Sequence, residues 1–504
     1  MKFKRSSGIL LHPTSLPGPY GIGDIGSQAM CWIDFLAEVG CSLWQVLPLG
    51  PTGYGDSPYQ CFSAFAGNPY LISPEALLAD DLLQPDDLTE LPDNTPERID
   101  YGEIIPWKLS LLDRAYDRFL QLDSAPLHTQ LDKFRGSHSS WLDDFALFMA
   151  LKEAHNGEPW STWEKPLRSR NPQALAEACQ KYTEAIQRHI FRQFIFYRQW
   201  SILHTYTANK GIDIIGDIPI FVAHDSADVW AHPELFFLDE EGQPTVIAGV
   251  PPDYFSETGQ LWGNPLYRWN VHQSHGYDWW LQRIRAVLEL VDIIRLDHFR
   301  GFAAYWEVPG GALTAVKGHW VPGPGKDFFQ VVMDSLGELP IIAEDLGVIT
   351  PDVEDMRDSF GLPGMKIFQF AFATTPKDPF LPHNYPHNCV VYTGTHDNDT
   401  ALGWYERVPE TERDSFRRYL DRNGSNVSWD MIRAVWSSVA NFALAPMQDF
   451  LSLDNKARMN YPGNPSGNWT WRMSTDALND PLSNKIKEIN YLYSREKPKV
   501  VILS

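Results

Sequence analysis

Asp292–Gly301 reads DIIRLDHFRG. Ile293, Ile294 and Leu296 form a short apolar run that predicts a buried strand. Arg295, Asp297, His298 and Arg300 interrupt and close that run. Charges at the end of a core strand cost several kcal/mol unless they are paired or used. Side chains two apart on a strand share a face, so Arg295 and Asp297 project together. The cation then keeps the carboxylate ionised. An aimed, ionised carboxylate at the mouth of a barrel strand suits a covalent glycosidase nucleophile. A structural Arg–Asp pair fits this segment equally well.

Similar runs, each ending in polar or turn residues, recur along the chain. They are Gly8–His12, Leu43–Leu49, Ile212–Ile220, Val291–Phe299, Leu339–Leu346, Met365–Phe372, Cys389–Thr395 and Phe442–Phe450. Helical patterns lie between most of them, as at Gln28–Val39, Tyr277–Leu290, Asp327–Leu336 and Asp352–Phe360. Alternation repeated about eight times predicts an α/β fold, a parallel (β/α)8 TIM barrel whose active site lies at the C-terminal strand ends. Roughly 160 residues separate the second and third runs, far beyond a normal crossover. We therefore expect barrel residues 1–72, a helical insertion at 73–198 and a third-strand region at 199–220. A loop-rich insertion at 221–270 would cover the active site, with the barrel completed by 271–504. About fifty residues after Gln448 are too few for a C-terminal β-sandwich, and the chain is expected to lack an extra N-terminal domain.

The 504 residues carry a formal charge of −22, with hydrophobic residues at 43%. This is ample for a large core and offers no basic stripe for nucleic acid or an anionic membrane. Aromatics include 19 Trp, 20 Tyr and 27 Phe, a composition compatible with stacking on sugar rings. The five cysteines, Cys31, Cys41, Cys61, Cys179 and Cys389, are scattered with no CxxC. Free thiols in a reducing cytoplasm are the simplest account. The start, MKFKRSSGILLHP, has too short an apolar run for a signal peptide, and no apolar run reaches membrane-spanning length.

Three more strand ends carry acids: Asp217 in IIGDIPI, Glu344 in PIIAEDLG, and Asp397 in VVYTGTHDND. Glu344 is followed by Asp345 on the opposite face, and Asp397 is preceded by His396. With Asp297, four acids converge on one mouth. Glycosyl transfer needs one acid to protonate the leaving oxygen and a carboxylate on the other face of the sugar. A further carboxylate opposes the developing positive charge.

RLDHFRG at Arg295–Gly301, AEDLG at Ala343–Gly347 and GTHDNDT at Gly394–Thr400 resemble the signature segments of the 4-α-glucanotransferases. These are the amylomaltase or disproportionating enzymes of the α-amylase superfamily, glycoside hydrolase family 77. DIPIFV at Asp217–Val222, YGDSPY at Tyr54–Tyr59, GVPPDYFS at Gly249–Ser256, GQLWGNP at Gly259–Pro265 and PSGNWTWR at Pro465–Arg472 fit the same family. The resemblance implies Asp297 as nucleophile, Glu344 as general acid and then base, and Asp397 as transition-state stabiliser. It implies that Arg295 orients Asp297 and that His298 and His396 donate to the same sugar, on which Tyr59 stacks. Asp217, Arg295, Ser57 and Gln260 count among the implied substrate-binding residues. Tyr54 would hold the glucan further out, and Tyr254, Phe255 and Trp262 would exclude water and grip an acceptor. Glu344 is expected to need a surrounding that raises its pKa. The implied substrates are α-1,4-glucans and maltooligosaccharides of starch and glycogen metabolism, with no cofactor, no metal, and a monomer or weak homodimer in the cytoplasm. An α-glucan hydrolase of the same superfamily is the alternative.

Other signals point elsewhere. Gly21–Gly26 matches GxGxxG, but Pro13, Pro17 and Pro19 separate it from the strand, and the next strand ends without a ribose-binding acid. His383 and His387 share helical spacing, yet Pro382 and Pro386 preclude the helix. Asp397 and Asp399 begin like a calcium loop, but Leu402 stands where its glycine belongs.

Overall fold

A computed structural model describes residues 3–89, 91, 97–122, 124–252, 256–373 and 375–496. Its strands are β1 (Ser6–Leu10), β2 (Leu43–Gln45), β3 (Asp213–Pro219), β4 (Val246–Val250), β5 (Gln260–Pro265) and β6 (Ile293–Asp297). They continue with β7 (Ala304–Pro309), β8 (His319–Pro322), β9 (Ile341–Ala343), β10 (Gly364–Ile367), β11 (Cys389–Tyr392) and β12 (Phe442–Pro446).

Eight of these strands form one parallel sheet in the order β10-β11-β12-β1-β2-β3-β6-β9. The Ala343 N–H donates to the Pro363 carbonyl at 2.9 Å, joining the two ends beside β9 and β10. The sheet is thus a nearly closed (β/α)8 barrel. Its strands are the eight apolar runs of the sequence, each trimmed at the polar end. Side-chain alternation sorts each strand between two cores. On β6, Ile293 joins Leu43, Ile215, Ile342, Met365, Val390 and Leu444 inside the barrel. Ile294 and Leu296 belong to the outer layer shared with the helices. Gly8 on β1 leaves no room for a side chain, since a Cβ there would sit 2.5 Å from the Cβ of Leu43.

Between β2 and β3 the chain is largely helical, including Tyr101–Gln121, Ala125–Ser137, Leu142–Ala154, Pro172–Lys181 and Thr183–Lys210. The expected boundary at Arg198 falls inside Thr183–Lys210, a single helix of 28 residues ended by Gly211 in the left-handed region, φ 66°. Its second half docks on the barrel, where the Trp200 indole N–H donates to Leu290 O at 2.8 Å.

The stretch expected as a loop layer holds more order than its composition suggests. β4 and β5 pair antiparallel there and join β7 and β8 in a four-stranded sheet, order β5-β4-β7-β8. Its second half comes from 304–322, directly after the DIIRLDHFRG stretch, a contribution not anticipated from the sequence. Among the described residues no helix is long and apolar enough to cross a membrane. All five cysteines are free.

Candidate active site

The alternation that buries Ile293 carries Arg295 and Asp297 up the same inner face of β6. Arg295 Nη1 lies 2.8 Å from Asp297 Oδ1 and 2.6 Å from Asp217 Oδ2. Asp217 is its register partner on β3. Burial works against the guanidinium charge, but Asp217 and Asp297 outweigh it and hold Arg295 well above its ordinary pKa. The side chains of Arg295 and Asp217 are 4% and 0% exposed. Neither is among the residues that border the cleft described below; Arg295 fixes the Asp297 carboxylate directly, and Asp217 holds Arg295. Tyr59 seals the arrangement, its hydroxyl donating to Asp217 Oδ2 at 2.6 Å. One face of the Tyr59 ring is already stacked on His396, with centroids 4.7 Å apart and planes at 21°.

Glu344 follows β9 and is 9% exposed. The His298 main-chain N–H donates to its Oε2 at 2.7 Å. His298 adopts φ 51°, an uncommon conformation for a residue with a Cβ, and this turn brings the N–H back over the acid. Burial and the nearby Asp297 charge raise the Glu344 pKa well above its ordinary value, against the pull of Arg295 and the His298 N–H. That setting favours the protonated form of the carboxyl. Asp345 turns the other way, accepts from the Met365 N–H at 2.6 Å and pairs with Arg357. His298 itself is pushed down to about 3 by burial, so its imidazole is neutral. Trp262 meets it edge-on with centroids 4.7 Å apart.

Asp397 sits in the loop after β11 and behaves oppositely. Burial pushes its pKa up, but His396, the Asn460 amide and Arg295 pull it down to about 2. Its side chain is 49% exposed, and His396 Nε2 lies 3.4 Å from Oδ1. The Asn460 amide donates to the same oxygen at 2.6 Å.

These groups border a cleft of about 640 Å³. Asp297, His298, His396, Asp397, Tyr54, Ser57, Tyr59, Gln260 and Trp262 all line it. Trp262 and Gln260 are tied by a 3.1 Å hydrogen bond. Tyr54 stands 77% exposed at the rim. Glu344 lies behind the His298 turn, close enough to Asp297 for their charges to oppose each other. Tyr254 and Phe255 lie outside the described residues. The cleft also takes in Asn460, Asn464, Trp469, His224 and Asp225, which were not singled out from the sequence. Trp469 belongs to the PSGNWTWR segment, and that match was the one signal pointing to it. Among the described residues no cluster of three or more His, Cys, Asp or Glu is arranged to hold a metal ion.

Known proteins share this architecture. The family model described as 4-alpha-glucanotransferase matches residues 11–478. The 4-alpha-glucanotransferase of Thermus thermophilus is 53% identical over 481 residues, 94% of this chain and 95% of that protein. The chloroplastic/amyloplastic 4-alpha-glucanotransferase of Solanum tuberosum is 45% identical over 503 residues, covering 98% of this chain and 87% of that one. The solved structure of the amylomaltase from Streptococcus agalactiae in complex with acarbose superposes with a TM-score of 0.95 at 41% identity, covering 98% of this chain and 100% of that chain.

Proposed function

The chain belongs to the 4-alpha-glucanotransferase family, and from that premise we propose how its residues move an α-1,4-glucan segment from one chain to another. One observation carries the reading. Two acids at neighbouring strand ends, Asp297 and Glu344, sit in electrostatic contact, and burial and the Asp297 charge raise the Glu344 pKa.

Asp297 attacks the anomeric carbon of a bound glucan, and a β-linked glucosyl-enzyme forms as the glycosidic C–O bond breaks. Glu344 gives its proton to the departing 4-oxygen, so the leaving chain ends in a hydroxyl. Glu344, now a carboxylate, takes the proton from the 4-hydroxyl of an incoming chain. That oxygen attacks the anomeric carbon, Asp297 is released, and the α configuration is restored. Arg295 orients Asp297. Asp397 opposes the positive charge that develops on the sugar ring in both steps. His298 and His396 bind the sugar's hydroxyls. Gln260 and Trp262, on β5 over the mouth, favour an acceptor sugar over water. Tyr54 and Ser57 meet the glucan at the rim. The acids and bases of the cleft supply every proton in this scheme, which has no step for a cofactor.

The substrates are maltooligosaccharides and the chains of starch or glycogen. We place the protein in a reducing compartment, the cytoplasm, on its five free cysteines. We take it as a monomer or weak homodimer.

Incubation with maltotriose tests the function. Transfer yields glucose and longer maltooligosaccharides with the total of reducing ends unchanged. A rise in reducing ends that matches consumption would instead identify an α-glucan hydrolase.

A further inference from the structure

The loop that carries His396 and Asp397 has little regular structure of its own. It leaves β11 at Thr393 and enters the helix Ala401–Arg407. Several polar contacts hold it; Gln369 Nε2 donates to Asp399 O at 2.8 Å and Arg407 pairs with Asp399, and a further set comes from one stretch, 449–460. Asp449 has no exposed surface. It accepts from both ends of the loop, from Thr393 Oγ at 2.6 Å and from the Ala401 N–H at 2.7 Å. Arg458 donates to the Asp397 main-chain carbonyl at 2.6 Å and pairs with the buried Asp399. Asn455 Oδ1 accepts from the Thr400 N–H at 3.1 Å. Asn460 then reaches the Asp397 carboxylate itself.

The two side chains that address that carboxylate, Asn460 and His396, both meet Oδ1. Among the described residues no hydrogen bond is made to the other oxygen, Oδ2. An aspartate side chain has two rotatable bonds, and one short hydrogen bond to a charged oxygen restricts both. Catalysis by a preorganised charge depends on this restriction, because a carboxylate that must reorient loses the advantage of being in place.

We propose that Asn460 is a positioning residue for Asp397, fixing the direction in which that carboxylate meets the bound sugar, and that Asp449 and Arg458 hold the loop for the same purpose. The proposal rests on Asp397 acting in the transition state, as assigned above. The groups facing Asp397 are His396 on its own loop, Arg295 from β6, and the amide of Asn460.

The test compares N460A, N460D and D397N with the wild-type full-length protein in maltotriose disproportionation. Rates are normalised to active sites, counted by trapping the glucosyl-enzyme with a fluorinated glucosyl fluoride. If Asn460 aims Asp397, N460A lowers kcat per active site about tenfold with KM within about twofold, the signature of a contact used in the transition state. N460D sets a second carboxylate against the first and moves the acid limb of the pH–rate profile to higher pH. An unchanged kcat per active site in N460A would overturn the proposal, as would a rise in KM alone, which marks a ground-state sugar contact. An unmoved acid limb in N460D would overturn it too. D397N separates the two levels. Loss of turnover in D397N with full turnover in N460A removes only the positioning role, whereas retained turnover in D397N removes the assignment of Asp397 on which it stands.

Discussion

Glu344 and Asp397 are both carboxylates at the C-terminal end of the barrel, a few residues beyond parallel strands, and their surroundings drive them apart. Glu344 is covered by the His298 turn, faces another acid and has its pKa raised by burial and by the Asp297 charge. Asp397 is half exposed, accepts from an amide, lies beside an imidazole and is held down to about 2. Position on the scaffold brings a carboxylate to the mouth; burial and neighbours decide whether it donates a proton or opposes a charge. The same contrast separates strand from loop. Asp297 is steadied from below by the buried Arg295–Asp217 pair, whereas Asp397 accepts hydrogen bonds from Asn460 and Arg458, 63 and 61 residues further along.

The largest expected effect tests the proton on Glu344. Glu344→Gln should slow transfer from maltotriose by about 10³–10⁴-fold. With α-glucosyl fluoride, whose leaving group needs little protonation, the first half-reaction should survive. Rapid-quench measurement of glucosyl-enzyme formation checks this, and an equal loss with both donors would break the contrast between the two acids.

Asp397→Asn should cost about 10²–10³-fold, because it removes a charge aimed at the developing cation. The loss should be the same for maltotriose and for glucosyl fluoride, since both pass through an oxocarbenium-like transition state. Steady-state kinetics with the two donors sharpens the comparison directly.

A smaller effect concerns how the two acids influence each other. Asp297→Asn removes the charge that raises Glu344, so Glu344 should titrate at lower pH than in the wild type. Carboxyl-selective NMR of the inactive variant reads the shift.

The smallest effect is on stability. Glu344 has its pKa raised in the folded state from the ordinary 4.5, so above that pH the folded protein holds a proton that the unfolded chain has released. Stability attributable to this group therefore falls as pH rises from about 4.5 toward the folded value. Glu344→Gln should raise Tm at pH 7 by a few degrees, and the gain should shrink as pH approaches 4.5. Calorimetry at the two pH values measures it. Asp397 runs the other way. Its depressed pKa stabilises the fold above the ordinary 3.8, and that contribution is lost as pH falls through about 2.

The barrel was legible because each strand is built on a short, mostly apolar run that is largely buried, a pattern that survives without knowledge of its partners. The shared face of Arg295 and Asp297 was legible for a related reason, since a period of two is local. The four-stranded sheet was not. AYWEVP and HWVP are short, end in proline, and are half-exposed, so their strand character comes from pairing with β4 and with each other. Asp217 was legible as an acid at a strand end, but not as one sealed beneath Tyr59, because its cover arrives from a distant loop. Asn460 lies in a stretch rich in Asn, Pro and Gly, where a turn is the ordinary expectation, and its partner is 63 residues away. Strand identity is written locally. The contacts that tune an acid are assembled by the fold.

Of the carboxyls at this mouth, Glu344 is the one expected to be neutral at working pH. Infrared difference spectroscopy at pH 7 between wild type and Glu344→Gln tests it most directly. A protonated carboxylic-acid band present in the wild type should disappear in this variant and persist in Asp397→Asn. A wild-type spectrum whose carboxylic-acid band survives in Glu344→Gln and vanishes in Asp397→Asn would contradict it.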